Sequence, residues 1–99
     1  MALRVKVSAR AASQIRKAAE WWAENRLAAP GAVRQDIGEA LALLAEQPGM
    51  GTKYEGSRTR SVRRLLVGRI RYFIYYRPTP DALEVLAVWH VSRGKQPSL

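Results

Sequence analysis

Residues 61–93 read SVRRLLVGRIRYFIYYRPTPDALEVLAVWHVSR, and this stretch decides the fold. It contains three runs rich in β-branched and aromatic residues, separated by turn signals. Such runs are typical of strands, so we predict strands over residues 61–67, 70–76 and 83–91. The connections between them are short, at residues 67–69 and 77–81.

Alternation along the last two predicted strands sorts their side chains onto two faces. In the middle strand, one face takes Ile70, Tyr72, Ile74 and Tyr76, and the other takes Arg71, Phe73 and Tyr75. In the last strand, one face takes Leu83, Val85, Ala87, Trp89 and Val91, and the other takes Glu84, Leu86, Val88 and His90. Because both faces are rather apolar, we expect helices to cover one face and a partial cover on the other.

The first half of the chain has a different period. Residues 3–7 alternate as a short strand, and Ser8 offers an N-cap oxygen for the helix that follows. Apolar residues at helical spacing predict helices from residue 9 to about 27 and from about 30 to 46, and Pro48 and the glycines beside it end the second one. The short break between the helices indicates a hairpin. The order β-α-α-β-β-β predicts an α+β fold.

Composition bounds the size and the chemistry of this chain. Its 99 residues fit one domain spanning residues 1–99, with 95–99 expected to be a loose tail. Without cysteine and with a single histidine, disulfides, thiolate zinc sites, histidine metal clusters and a cysteine nucleophile are excluded, and no cofactor or metal is expected. No secretory signal or membrane span is recognisable, so the expectation is a cytoplasmic protein that does not enter a membrane.

The positive charge is concentrated in the second half of the chain. Residues 1–49 carry seven basic and five acidic residues, a net charge of +2, whereas residues 50–99 carry ten and three, a net charge of +7. Arginine dominates, and its planar fork suits phosphate or carboxylate. An anionic partner therefore explains the pattern better than a merely solvated basic face.

Conventional active-site motifs are missing from this sequence, so only single residues are candidates for chemistry. His90 is the only imidazole and is suited to acid–base work or phosphate contact, unless it is a hydrogen-bonded residue at a strand edge. Arg63 and Arg64 point to opposite faces of one strand. One of them, with Arg71 and Arg93, is expected to form a cluster on the exposed sheet face that binds nucleic-acid phosphates, stabilises charge in phosphodiester cleavage, or pairs with an acidic protein.

The aromatic residues allow two readings. Base stacking is one, but most of them are better explained as core or interface residues. Trp22 shares the buried helical face with Ile15, whereas Trp21, the residue before it, lies about 100° away around the helix. Trp21 is therefore expected to be exposed and to mark a contact surface.

Several segments together resemble toxins of the RelE/ParE family. The opening resembles the family in the run Val7 to Ala11, in Ile15 and in the Trp21–Trp22 pair. Residues 40–51, ALALLAEQPGMG, are similar to the family's second helix and its stop. Residues 63–66, 71–77 and 85–94 resemble its three-stranded second half. The resemblance covers residues 3 to about 95.

The resemblance implies a twisted antiparallel sheet with a helical hairpin packed on one face. It also implies the toxin of a type II toxin–antitoxin pair, bound in a hetero-oligomer by a cognate antitoxin. Members of this fold either poison DNA gyrase or cleave mRNA on the ribosome. The C-terminal tyrosine typical of the cleaving members is absent, since no tyrosine follows Tyr76. The ending Trp-His-x-x-Arg and the long hairpin are more ParE-like, so gyrase is the preferred target and ribosome-dependent mRNA cleavage the alternative.

Three sets of site residues follow from the sequence and the resemblance. Whether the protein is an enzyme stays open, and candidate catalytic residues are Arg63, Arg71, His90 and Arg93. Residues expected to bind nucleic acid or the target are Lys53, Arg58, Arg60, Arg63, Arg64, Arg93 and Lys95. Residues expected to bind the antitoxin are Trp21, Arg64, Tyr75 and Trp89. A further alternative is a non-catalytic module whose arginine face docks an acidic helix.

Overall fold

The computed structural model describes residues 2–99, so Met1 of the predicted domain lies outside the described part. Two helices and five strands follow one another along the chain. Their bounds are β1 Arg4–Val7, α1 Ala9–Asn25, α2 Ala32–Glu46, β2 Thr52–Lys53, β3 Arg63–Val67, β4 Tyr72–Pro78 and β5 Ala82–His90. The predicted α+β class and element order are confirmed, with one short strand, β2, added before β3.

The sheet has the order β1-β5-β4-β3-β2. The pairs β2–β3, β3–β4 and β4–β5 are antiparallel, but β1 runs parallel to β5. The sheet is therefore mixed rather than wholly antiparallel. A parallel neighbour requires a long crossover, and the helical hairpin lies within the connection between β1 and the rest of the sheet. The two-residue β2 carries no hydrophobic alternation, so no pattern in the sequence marks it.

The helical hairpin covers one face of the sheet, here called the helix-covered face. Ser8 caps α1 as predicted, since its Oγ accepts a hydrogen bond from the Ala11 N–H at 3.0 Å. The core on this face joins buried helix residues such as Val33 and Leu44 to strand residues such as Ile74 and Tyr76. Helix α1 ends at Asn25, two residues before the predicted limit. A difference of one or two residues is common at helix ends, because the last turn of a helix frays.

The opposite face, here called the open face, has a smaller core of its own. Its buried members are Val62, Tyr75 and Ala87, with Phe73 and Trp89 packed against them among others. Tyr75 is 1% exposed, although no helix covers it. The predicted partial cover of this face is therefore confirmed.

A β-bulge divides β5 between these two cores. Tyr75 pairs with Ala87 and Tyr76 pairs with Val85, so Leu86 is the extra residue. Leu83 and Val85 belong to the helix-covered core as predicted, but Ala87 and Trp89 pack on the open face. The predicted faces of this strand are therefore wrong after Leu86. A single extra residue inverts a period-two pattern, and the sequence does not show where that residue is.

Ser8 and Gln14 supply hydrogen-bond partners for the outer edge of β5 beyond the end of β1. The Ser8 N–H donates to the Val85 carbonyl at 3.0 Å, and the Ser8 hydroxyl donates to the Leu86 carbonyl at 3.2 Å. Two residues further on, the Val88 N–H donates to Oε1 of Gln14 at 2.7 Å. Backbone groups that lack a strand partner are thus satisfied by the start of α1. In the described part of the chain, no helix is long and apolar enough to span a bilayer.

Candidate functional site

Arg63 faces the helix-covered side and is held by the backbone. Its Nη1 donates to the carbonyls of Gly51 at 2.6 Å and Gly49 at 3.2 Å. The hydroxyl of Tyr76 fixes the same loop, because it donates to the Pro48 carbonyl at 2.8 Å and accepts from the Gly51 N–H at 2.9 Å. The contacts of Arg63 are those of a structural residue that ties the end of α2 to β3.

Arg64 faces the open side, so the prediction that the two arginines point to opposite faces is confirmed. Its guanidinium carbon lies 4.3 Å from the centre of the Phe73 ring and 5.5 Å from that of Tyr54. Nη1 also donates to the Tyr75 hydroxyl at 3.2 Å. An arginine spread over aromatic rings keeps its charge at the surface while its flat faces are packed.

Arg93 lies beside Arg64 on the open face. Its guanidinium carbon is 4.1 Å from the centre of the Trp89 ring. Both arginines line a small cavity of about 260 Å³ together with Lys95 and Gln96. Burial raises the pKa of the neighbouring Tyr54, and the charge of Arg64 opposes that rise. The open face is therefore a cationic and aromatic surface.

The segment 95–99, expected from the sequence to be loose, lies against the open face. The Trp89 indole donates to the Lys95 carbonyl at 2.8 Å, and the Tyr54 hydroxyl donates to Oε1 of Gln96 at 2.8 Å. The Arg58 N–H donates to the Leu99 carbonyl at 3.1 Å, and the Leu99 side chain packs on the open-face core. These contacts keep Tyr75 from solvent where no helix does.

The remaining predicted target-binding residues are exposed, and Lys53 lies on the side of the sheet away from the open face. Lys53 is exposed on β2, opposite Arg63. Arg58 and Arg60 are exposed in the loop that precedes β3. Lys95 is exposed in the segment just described.

A second candidate site lies at the end of the sheet beside α1, here called the end groove. Two neighbouring cavities of about 600 and 410 Å³ share three walls, which are Trp21, Tyr72 and His90. The Tyr72 and His90 rings meet edge to face with their centres 4.9 Å apart. Nδ1 of His90 accepts a hydrogen bond from the Ser92 N–H at 3.1 Å. Trp21 is 47% exposed, as the sequence predicted.

Cations stand on both sides of these aromatic walls. Arg26 and Arg71 line the larger cavity, and Lys17 and Arg93 line the smaller one. The Arg26 guanidinium carbon lies 5.0 Å from the centre of the Trp21 ring. Burial raises the pKa of Tyr72, and the charge of Arg93 opposes that rise. Among residues 2–99, no carboxylate side chain lines either cavity.

Arg71 occupies an unusual backbone position in this groove. It closes the β3–β4 turn by donating its N–H to the Val67 carbonyl at 2.9 Å, and its φ is +64°. Such a left-handed conformation costs a residue other than glycine about 1–3 kcal/mol. In residues 2–99 no hydrogen bond or ion pair of its exposed guanidinium is found. Its neighbour Arg69, by contrast, is paired with Asp36.

The expected cluster of Arg63 or Arg64 with Arg71 and Arg93 is therefore only half formed. Arg64 and Arg93 meet on the open face, but Arg71 belongs to the turn before β4 and lines the end groove instead. The prediction placed Arg71 inside a strand. In the structure Arg71 is a turn residue with a left-handed backbone conformation, and its side chain lies in the end groove. His90 also belongs to the end groove, because the bulge in β5 directs it to the helix-covered side.

The residues predicted to bind the antitoxin are divided in the same way. Arg64 and Trp89 lie on the open face, whereas Trp21 lies in the end groove. Tyr75 is buried beneath Arg64 and offers almost no surface in this conformation. In the described residues, no cluster of three or more acidic, histidine or cysteine side chains comes together that would hold a metal ion.

Sequence reasoning missed Arg26 and Lys17 as members of the end groove. Lys17 precedes Trp21 by four residues, which places the two on one side of α1. This spacing could have predicted that Lys17 lies beside Trp21. Arg26 follows the last helical residue, and its position depends on where α1 ends.

Comparison with known proteins agrees with this geometry. A family model described as the ParE toxin of the type II toxin–antitoxin system parDE matches residues 5–94. A solved structure described as a chromosomal ParDE TA system from P. aeruginosa is similar to this chain with a TM-score of 0.72 and 22% identity, covering 91% of this chain and 97% of that one. No match is found among curated proteins. At this identity the structural likeness shows the fold, and the family model matches most of the chain: the chain belongs to the ParE toxin family of type II toxin–antitoxin systems.

Proposed function

We propose that this ParE-family toxin acts on DNA gyrase in the cytoplasm and that a cognate antitoxin neutralises it. The observation that carries the proposal is the match of residues 5–94 to the ParE toxin family. The four candidate catalytic residues are also not gathered in one of the cavities described above. Arg63 is bonded to backbone carbonyls, and Arg71 lines the larger cavity of the end groove. Arg93 lines the smaller cavity of that groove and the open-face cavity, whereas His90 lines all three. Phosphodiester cleavage requires an acid, a base and charge stabilisation around one scissile phosphate. A poison that binds its target needs no such arrangement.

Antitoxin binding at the open face is the second part of the proposal. Its surface presents Arg64 over Phe73 and Arg93 over Trp89, which suits an acidic segment with apolar side chains. Segment 95–99 occupies part of this surface, so an antitoxin segment bound there would displace or extend it. Either way, the toxin and its antitoxin form a hetero-oligomer.

The alternative is ribosome-dependent mRNA cleavage. It is favoured by one observation, which is that Arg64 and Arg93 share a cavity on the open face with Lys95. These three cations would contact an RNA backbone. His90 also lines this cavity, but its ring packs edge to face against Tyr72, which belongs to the helix-covered core.

Two reactions with purified components test the choice of target. The toxin is added to gyrase, ATP and plasmid DNA, and stalled cleavage complexes are measured. It is added in parallel to programmed ribosomes, and mRNA cleavage in the A site is measured. We expect cleavage complexes and intact mRNA. Intact gyrase activity together with cut mRNA would reverse the order of the two targets.

Growth of a bacterial host tests the antitoxin part. Expression of the toxin alone is expected to arrest growth, and co-expression of the antitoxin is expected to restore it. Arg64→Ala is expected to weaken antitoxin binding, with Arg34→Ala, an exposed arginine of α2, as the matched control. Equal binding of both variants would remove Arg64 from the antitoxin site. Growth without arrest by soluble toxin would contradict the toxin assignment itself.

A further inference from the structure

We infer that the end groove is a binding site for single-stranded nucleic acid, separate from the open face. This inference goes beyond the proposed function, because it assigns a ligand to a surface to which that proposal assigns none. The groove combines an aromatic centre with cations on either side. Trp21, Tyr72 and His90 form the centre, flanked by Arg26 and Arg71 in one cavity and by Lys17 and Arg93 in the other.

The shape of the groove favours a strand with unpaired bases. Its larger cavity of about 600 Å³ has the volume of a small-molecule site, and its walls are indole, phenol and imidazole rings. Flat aromatic walls suit a base that has left its stack, whereas a duplex keeps its bases stacked inside. Cations on both sides of the rings match phosphates on both sides of a nucleotide. A peptide of acidic residues alone would use the cations but would leave the aromatic centre uncovered.

The charge of the groove is not neutralised within the chain. In the described residues, its two cavities have no acidic lining residue, while Arg69 at the rim is bound to Asp36. Arg26 is the one groove cation stacked on Trp21, at 5.0 Å. A bound strand would bring the missing negative charge, and its affinity would fall with added salt as counterions are released.

The backbone at Arg71 is a second observation that points to a ligand. Its φ of +64° is the conformation that glycine adopts without cost, yet the chain has an arginine there. Strain retained at one residue motivates a functional hypothesis for its side chain. In this groove the guanidinium stands at the mouth of the larger cavity, where it would meet a phosphate.

Fluorescence anisotropy with labelled oligonucleotides tests the inference on the full chain. The probes are a 12-mer of oligo-dT, a 12-mer of oligo-rU, a DNA duplex of equal length and a 12-residue polyglutamate. We expect both single strands to bind, and the difference between them decides between DNA and RNA as the source of the strand. The duplex is expected to bind at least tenfold more weakly. Polyglutamate suits the open face, so its binding is expected to be insensitive to Trp21→Ala.

Variants locate the site. Trp21→Ala is expected to weaken single-strand binding about tenfold, because one stacking platform is lost, and Trp21→Phe is expected to retain most of the affinity. Arg71→Gly relieves the backbone strain, so it removes the guanidinium without unfolding the turn. It is expected to reduce the salt slope by about one. Arg34→Ala removes the same charge from an exposed residue that lines neither cavity, and it is expected to change the affinity less than twofold.

Four results would overturn the inference. These are no binding of either strand at low salt, equal binding of the duplex, equal losses in Arg71→Gly and Arg34→Ala, and a larger loss in Arg64→Ala than in Trp21→Ala. The last would place the strand on the open face. The assay contains neither gyrase nor antitoxin, so its failure leaves the proposed function untouched, and a failure of gyrase poisoning leaves this site untouched. Circular dichroism of each variant confirms folding.

Discussion

Tyr76 and Tyr75 are neighbours in the chain, and both are almost fully buried, yet on opposite faces of the sheet. The Tyr76 hydroxyl lies between two backbone groups of the loop after α2, under the helical hairpin. The Tyr75 hydroxyl accepts a hydrogen bond from Nη1 of Arg64, and segment 95–99 covers it on the open face. One face is thus closed by two helices, and the other by Arg64, neighbouring aromatic rings and segment 95–99. The open face should therefore open at a much lower free energy than the helix-covered face.

The strongest test of the helix-covered face is Gly51→Ala. A Cβ at this position would lie 2.6 Å from the Tyr76 hydroxyl and 2.7 Å from the Arg64 carbonyl. Because one of these neighbours is backbone, we expect a loss of about 3 kcal/mol in the free energy of unfolding. Urea denaturation measures it. Gly49→Ala in the same loop meets nothing within 4 Å and is the control. Similar stabilities of the two variants would contradict this account of the loop.

Amide hydrogen exchange compares the two faces within the unmodified protein. The Gly51 N–H donates to Tyr76, and the Arg58 N–H donates to the Leu99 carbonyl over the open face. We expect the Arg58 amide to exchange by local opening, at least about 100-fold faster than the Gly51 amide after correction for intrinsic rates. Equal protection of the two amides would mean that segment 95–99 opens only when the whole domain unfolds.

The two tyrosines themselves offer a matched pair of substitutions. Tyr76→Phe leaves the buried Gly51 N–H and the Pro48 carbonyl without their partner, so we expect a loss of about 2 kcal/mol. Tyr75→Phe removes an acceptor from an arginine that reaches solvent, so we expect a loss below about 1 kcal/mol. Thermal and urea unfolding measure both. A larger loss for Tyr75→Phe would reverse the ranking of the faces.

Alkaline pH should act on the helix-covered face, with the smallest effect of the four. Burial raises the pKa of Tyr76 above its ordinary value of 10.0, against the opposing effects of the Gly51 hydrogen bond and Arg63. The folded state then holds the phenolic proton more tightly than the unfolded state. Stability contributed in this way is fully present below pH 10 and is lost as the pH rises further. Urea unfolding between pH 9 and 11 should show a steeper decline for the wild type than for Tyr76→Phe.

Local patterns predicted much of this fold from the sequence. The Ser8 cap, the stop after residue 46, the opposite directions of Arg63 and Arg64 and the exposure of Trp21 depend on a few neighbouring residues each. Such features follow from helical or strand periodicity and from capping chemistry. These four predictions were confirmed because each depends only on residues close together in the chain.

The candidate site was harder to predict because it depends on one turn and one bulge. The left-handed φ of Arg71 and the extra residue Leu86 leave no mark in composition or period. Together they direct Arg71 away from Arg64 and place the His90 ring against Tyr72 in the end groove. Segment 95–99 is polar and short, so only its contacts with Tyr54 and Trp89 reveal its place.

The bulge at Leu86 also affects which side of the sheet each residue of β5 faces. Two residues that are two positions apart in a strand normally share a face, but Val85 packs in the helix-covered core and Ala87 in the open-face core. A deletion of this one residue would rotate His90 and Trp89 onto each other's faces while leaving the composition of the strand nearly unchanged. The length of β5, more than the identity of any residue in it, therefore determines which surface receives the imidazole and which the indole.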